Sequence, residues 1–321
     1  MPRQPASHPA TRPATPTPGA HAVGAGPGAD GLARPAVSAG SPPARGSEGN
    51  AATSVKILTF NLLSGGIGRS RAERRFEGLL QVIQESGAHA ACLQECLYWD
   101  ENDARLLHLA ERVLGMRAVL GLSPRTRMHT AILVRPPLWI AETRVLADGI
   151  WHHSAVRAVV GWDGGGDQRM LLVSAHFAAR RRQRRLLEAE DLCGHFEPEA
   201  ERGQMVVVGI DTNTPDEQLP AEPLNTGQAS RFLHEGGPDT RPVEVLAAAG
   251  LTDAAPVGPA GAERTTGHWP GHFPDRPDRL LVSRAAAAAL RAPARVLETA
   301  DEISDHRPLL AELALPEGAP Q

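Results

Sequence analysis

Aromatic side chains and lysines are both scarce in this 321-residue chain: it has six Phe, five Trp and the lone Tyr98, and Lys56 is its only lysine. Proteins that grip long single strands of nucleic acid stack successive bases on aromatic rings, so extensive base stacking is excluded. The near-total preference for Arg over Lys reads as GC-rich coding rather than as a phosphate-binding design. The three cysteines, Cys92, Cys96 and Cys193, are too few and too odd in number for a disulfide framework, and a cytoplasmic setting is expected. No run approaches the roughly 18 apolar residues of a membrane span, and the first residues hold no apolar stretch of signal-peptide length. A net charge of −4 argues against a general polyanion binder.

Large apolar residues are also nearly missing from residues 1–50, which are dominated by Ala, Pro, Gly, Ser and Thr. Such a segment cannot bury enough surface to offset its ordering entropy, so a disordered tail is expected there. Residues 51–317 are expected to form one domain with a substantial core. No period of 20 to 50 residues recurs, which argues against a solenoid.

What is present is a repeated arrangement: a short apolar run that ends in polar residues. Val55–Phe60 alternates like a strand and ends at Asn61; Ala90–Leu93 ends at Gln94 and Glu95; Met170–Ala175 ends at His176. Met205–Ile210 ends at Asp211, Thr212 and Asn213, and Asp278 precedes the run Leu280–Ser283. Ser304, Asp305, His306, Arg307 and Pro308 then lead into Leu309–Leu313. Runs of this kind fit strands buried on both faces, with chemistry gathered where strand ends meet loops. The adjacent Asp305 and His306 would aim in different directions, one toward a metal and the other toward a proton or a phosphate oxygen. Helices are expected near residues 71–86, 101–114, 180–194 and 240–249.

Other features carry two readings each. Arg180, Arg181, Arg182, Arg184 and Arg185 follow His176 closely; they are either a solvated helix face pairing with acids such as Glu188 or a phosphate-attracting edge of the site. His152 and His153 sit at a loop edge, either as rim residues or as substrate contacts. Trp269, in a Gly/Pro-rich loop, either plugs the loop or lines the rim, and Asp253 reads as a turn residue. Cys92 and Cys96 flank Glu95, but thiolates suit zinc and the surrounding carboxylates suit a harder ion.

In order and spacing, Phe60-Asn61, Leu93-Gln94-Glu95, Ser174-Ala175-His176, Asp211-Thr212-Asn213, Asp278 and Ser304-Asp305-His306-Arg307 resemble the motifs of the endonuclease/exonuclease/phosphatase superfamily. The resemblance spans about Ser54 to Leu315. One departure is that Ile210 separates Gly209 from Asp211, where the family writes Gly-Asp-x-Asn; this alters the close backbone approach that the glycine allows. The resemblance implies an α+β fold, a four-layer α/β/β/α sandwich of two mainly antiparallel sheets. It implies Mg²⁺, with Mn²⁺ as a substitute, held by Asn61, Glu95 and Asp305. His176, Asp211, Asn213, Asp278 and His306 are the implied catalytic group. Asp278 would orient His306, and either Asp211 or His306 would take the proton from water.

The implied activity is metal-dependent hydrolysis of a phosphate ester by a phosphodiesterase, nuclease or phosphatase, with nucleic acid among the candidate partners. A monomer is the default. The alternative is a catalytically inactive relative that binds a phosphate ligand.

Overall fold

The computed structural model describes residues 53–67, 74–216, 224–255 and 263–318. The tail expected over residues 1–50 lies outside them, as do residues 71–73 of the first expected helix.

Numbered in chain order, six strands form one sheet: β1 (Ser54–Asn61), β2 (Ala90–Gln94), β3 (Arg117–Gly121), β4 (Thr130–Val134), β13 (Arg295–Val296) and β14 (Leu309–Ala314). Their spatial order is β13-β14-β1-β2-β4-β3. The second sheet holds β5 (Leu138–Leu146), β6 (Ala155–Trp162), β7 (Met170–His176), β8 (Met205–Asp211), β11 (Leu251–Asp253) and β12 (Asp278–Ser283), ordered β11-β12-β8-β7-β6-β5. A two-stranded ribbon pairs β9 (Leu233–His234) with β10 (Gly237–Pro238). Among the described residues only β1 with β2 and β7 with β8 run parallel; the other neighbours are antiparallel.

Side chains alternate across a strand, and here both faces are covered. Val55 and Ile57 of β1, Cys92 of β2, Leu172 of β7, Val207 of β8 and Leu280 of β12 meet in the layer between the sheets. The intervening Leu58, Phe60 and Leu93 pack outward beneath helices α1 (Arg74–Glu85) and α2 (Glu101–Leu114). Val206, Val208, Ile210 and Leu281 pack outward on the other side, beneath α3 (Arg182–Cys193) and α6 (Arg241–Ala248). The result is the expected helix, sheet, sheet, helix layering. Three short helices escape the periodicity reading: α4 (Glu197–Glu201), α5 (Thr226–Phe232) and α7 (Arg284–Ala289). Of these, α5 carries a capping box in which Asn225 and Gln228 each bond the other's backbone N–H.

Gly209 owes its identity to the contact between sheets. A Cβ there would lie 2.5 Å from Cys92 Cβ and 2.9 Å from Thr59 Cβ, closer than packed atoms tolerate. Ile210 points the opposite way, into the α3/α6 layer, and Asp211 returns to the inner face. The Gly209-Ile210-Asp211 spacing therefore serves sheet contact and site in successive inward positions.

α3 also departs from its expected character. Its buried stripe is Arg185, Glu188, Ala189, Leu192 and Cys193, spaced as one helix face. Arg185 is fully buried and donates to the carbonyls of Ala178 at 3.4 Å, Ala179 at 3.2 Å and Arg231 at 2.7 Å. It is neither a solvated residue nor an edge of the site. No described helix is long and apolar enough to cross a membrane.

Candidate active site

Topology brings the polar strand ends together. Parallel pairing of β1 and β2 sets Asn61 beside Gln94, and parallel pairing of β7 and β8 sets His176 beside Asp211. β12 runs antiparallel to β8 and starts with Asp278 opposite Asp211; β14 starts with Leu309 opposite Thr59, so the loop before it lies at the same end. Asn61, Gln94, His176, Asp211 and Asp278 all share the phase of inward-facing core residues on their strands. Glu95 has the opposite phase and would face α1. Instead its backbone leaves the strand with φ of 56°, and its carboxylate accepts the Ser64 N–H at 2.7 Å, 3.5 Å from Asn61 Nδ2.

Beneath this group lies a polar layer that joins the sheets. The Gln94 side-chain amide nitrogen sits 3.2 Å from Thr59 Oγ1, Ser174 Oγ and the Gly209 carbonyl. Ser174 Oγ in turn donates to the Leu93 carbonyl at 2.9 Å. Satisfied buried polar groups of this kind hold two strand ends in one register, and this layer is the rigid floor of the site.

On that floor Asn61 Nδ2 donates to Asp211 Oδ2 at 2.8 Å, and the Asn61 side-chain oxygen accepts the Leu63 N–H at 3.0 Å. Asp211 Oδ1 accepts the backbone N–H of Asn213 at 2.8 Å. Asp278 Oδ2 accepts both Thr265 Oγ1–H at 2.6 Å and His306 Nδ1–H at 2.7 Å. Ser304 braces the loop: its hydroxyl donates to the Asn61 carbonyl at 2.9 Å and accepts the His306 N–H at 3.2 Å.

The charges follow from these neighbours. Burial disfavours an imidazolium at His306, but Asp278 in contact, with Asp211 and Asp305 nearby, outweighs it and raises the pKa to about 10. His306 is thus cationic at neutral pH. Burial raises the Glu95 carboxyl above its ordinary value; Ser64 N–H and His306 oppose this, while Asp211 and Asp305 add to it. His176 goes the other way. Burial, reinforced by the fields of His306, His152 and Arg231, lowers its pKa to about 3 and leaves it neutral.

All the site residues expected from sequence lie in this cluster or on its rim. Asp305, partly exposed, lies 3.3 Å from His272 Nδ1 through one carboxylate oxygen. The Asn213 side-chain amide is engaged on both sides, donating to the Phe177 carbonyl at 3.0 Å and accepting from Arg231 Nη2 at 2.5 Å. Arg231, Arg75 and Thr265 are groups that the sequence reading missed, Arg231 foremost. It lies on α5, whose capping box was the available signal, and its guanidinium is near Asp211 and His176. Arg75 of α1, whose Nη2 donates to the Leu63 carbonyl, acts on Asp305 and Glu95 from the opposite side. Of the open readings, Trp269 plugs its loop, donating Nε1–H to the Asp301 carbonyl at 2.5 Å. Asp253 is paired with Arg276 and Arg279 rather than serving only a turn.

The donor chemistry of the site fits a hard divalent cation. Asp278 Oδ1 and Asp305 Oδ1 are buried without a hydrogen-bond partner among the described residues. After burial, Asp211 and Asp305 also raise the proton affinity of Glu95, so negative charge around that carboxylate is undercompensated. Cys92 is buried between the sheets and Cys96 beneath α1 and α2, outside the donor set. Oxygen and nitrogen atoms of Asp211, Asp278 and His306 lie within 4.8 Å of one another, a further group with metal-holding spacing.

Comparison with known proteins accords with the geometry. A family model described as "Endonuclease/Exonuclease/phosphatase family" matches residues 58–306. No curated protein matches by sequence. Among solved structures, TDP2 from Caenorhabditis elegans superposes with a TM-score of 0.57 at 15% identity, over 82% of this chain and 74% of that one. An endonuclease/exonuclease/phosphatase from Bacteroides vulgatus gives 0.60 at 14%, over 82% and 100%. The human Nocturnin catalytic domain with bound sulfate gives 0.57 at 15%, over 82% and 94%. At such identities these likenesses speak for the fold alone.

Proposed function

The chain belongs to the endonuclease/exonuclease/phosphatase family, whose members are generally hydrolases of phosphate esters, and on that premise we propose that it hydrolyses a phosphate ester with a divalent metal ion. The observation that carries this reading is the meeting of carboxylates, one cationic imidazole and one neutral imidazole at a single end of the sandwich. Glu95 and Asp305, with Asn61 beside them, would hold Mg²⁺, or Mn²⁺ in its place, and the bound ion would supply Lewis-acid stabilisation of the charge that builds up on phosphate.

The protein's own groups divide the remaining work. Asp211, held by Asn61 and the Asn213 N–H, orients the attacking water and takes its proton. His306 carries its positive charge at neutral pH, so it serves as an electrostatic contact to a non-bridging oxygen, and Asp278 keeps its ring oriented and charged. Between the two candidates for the base, this charge favours Asp211. His176, neutral and buried, contributes an N–H to the leaving oxygen or to the phosphate. Asn213 and Arg231 form the adjoining donor edge. We also propose that residues 51–317 carry the activity without the preceding fifty.

The deciding experiment measures hydrolysis of bis-p-nitrophenyl phosphate with Mg²⁺, with Mn²⁺ and with EDTA, alongside calorimetric metal titration. The reading expects turnover that EDTA abolishes. Metal binding without turnover on this diester, plasmid DNA, abasic DNA, RNA, phosphoinositides or sphingomyelin would favour a binding module instead. Full turnover in EDTA would remove the metal from the mechanism.

A further inference from the structure

Of the two histidines in the site, only one has the usual means of orientation. His306 is aimed by a carboxylate at 2.7 Å. His176 has no such partner: its Nδ1 is buried and unpaired among the described residues, and its Nε2 lies 3.5 Å from Asp211 Oδ2. A ring held so weakly by hydrogen bonds would rotate about its side-chain torsions unless packing stops it.

Packing does stop it. The His153 ring lies face to face with His176, centroids 4.0 Å apart and planes 6° from parallel. His153 is itself fixed from several sides. Its Nδ1 is 2.9 Å from Thr126 Oγ1, which also contacts Ser123 Oγ at 2.8 Å, and His152 meets its ring edge-on at 4.6 Å. The two chain segments that carry the rings are stapled by one residue of α3. Fully buried Glu188 accepts the His152 N–H at 2.7 Å through one oxygen and the Ala178 N–H at 2.7 Å through the other.

We propose that His153 is a positioning residue, whose flat face fixes the plane of the His176 ring so that His176 presents its nitrogen to the phosphate ester, with Glu188 setting the spacing of the two segments. The inference rests on the proposed role of His176 in that reaction. Neutrality of both rings is consistent with it, since burial lowers the pKa of His153 as well as that of His176. Two stacked cations would repel, whereas two neutral imidazoles stack as other aromatic pairs do.

The test separates the flat face from the hydrogen bond. His153→Phe keeps a ring and loses the bond to Thr126; His153→Gln keeps a polar end and loses the ring. These variants, His176→Ala and the His153→Gln/His176→Ala pair are compared as full chains on bis-p-nitrophenyl phosphate with Mg²⁺. Ring carbon–proton resonances of His176, assigned from His176→Ala, are read without substrate. A misplaced catalytic group loses rate rather than binding, so His153→Gln is expected to lower kcat about tenfold with KM within about twofold. His153→Phe should stay within about threefold of wild type, and the double variant should be no worse than His176→Ala. An uncovered ring should sample several orientations, so the His176 resonances should broaden or split in the Gln variant and stay single and sharp in the Phe variant, whatever offset the stronger benzene ring current adds.

Wild-type kcat in His153→Gln beside an impaired His176→Ala overturns the proposal, as does a Phe variant as impaired as the Gln variant. If His176→Ala keeps the wild-type rate, the reading of His176 falls instead, and the resonances alone decide whether His153 positions the ring. Should the Gln variant fail to fold, the Phe variant decides: single, sharp resonances and a preserved rate support the proposal, and loss of both overturns it.

Discussion

The site has two sides built on opposite principles. On one, Glu95, Asp305, Asp278 and His306 form a charged group in which a carboxylate holds an imidazole cationic. On the other, His176 and His153 are buried, stacked and neutral. The same side chain thus carries a positive charge at one point of the site and none at another. Burial lowers histidine pKa on both sides; contact with Asp278 reverses the outcome on only one. A histidine's role is set by what it touches.

The comparison can be broken most severely on the charged side. Metal removal with EDTA, or Glu95→Ala, should take phosphodiesterase turnover to background or raise the Mg²⁺ requirement steeply, with thermal unfolding little changed. A wild-type metal requirement in Glu95→Ala would exclude it as a ligand. Next, Asp278→Asn and His306→Ala should each cut kcat by about 10² to 10⁴, the usual range for a positioned acid–base or charged group. Their double variant should be little worse than His306→Ala alone, and multiplicative losses would show that the two act independently. The raised pKa of His306 means that its protonation beside Asp278 stabilises the folded state below the ordinary value of 6.5 and ceases to do so as pH rises through about 10; burial raises the Asp278 carboxyl too, so the ion pair itself is also lost when that carboxyl takes up a proton at low pH. In Asp278→Asn, titration of His306 followed by NMR should move down from that value.

Between the two sides, Arg231→Met should raise KM about tenfold, since it removes a charge-assisted donor next to Asn213. An unchanged KM would confine Arg231 to a structural role.

A smaller effect sharpens the neutral side. Burial raises the Glu188 pKa to about 7 from an ordinary 4.5, against the pull of the Ala178 and His152 N–H groups. Glu188 therefore stabilises the fold most below pH 4.5, and that advantage declines as pH rises through about 7. Glu188→Gln, which loses one of the two acceptors, should cost about 1–3 kcal/mol at pH 5 and less at pH 8, read as the gap between thermal midpoints. A gap that widens with pH would reverse the sign of this account. Least of all, deletion of residues 1–50 should leave the ratio of His153→Gln to wild-type rates unchanged, with activity within about twofold. Loss of the cooperative transition would make that segment part of the domain.

Much of the fold was legible because strands buried on both faces advertise themselves as apolar runs. Each run that ends in Asn61, Glu95, His176 or Asp211 is a strand or the residue just beyond one. The two layers of helices were legible in α1, whose buried Phe76, Leu79, Leu80 and Ile83 keep helical spacing. α3 was harder to read, since two of its five core-facing residues are charged. Their buried partners, backbone groups for both and Asp239 for Arg185, are ones that no local pattern reveals. The site contacts of Arg231 and Thr265 were hidden for a similar reason: the α5 capping box marks a helix, but each residue reaches its site partner across a gap of 13 or more residues, Asn213 for one and Asp278 for the other.

Sequence alone determined the inventory: which strand ends carry carboxylates, amides and imidazoles. The tertiary structure decided their states. Parallel and antiparallel pairing brought those ends to one place, the left-handed turn at Glu95 redirected a carboxylate that alternation would have sent elsewhere, and the neighbours of each imidazole chose its charge. Protonation depends on burial and on charges a few ångströms away, and those distances exist only once distant segments have packed.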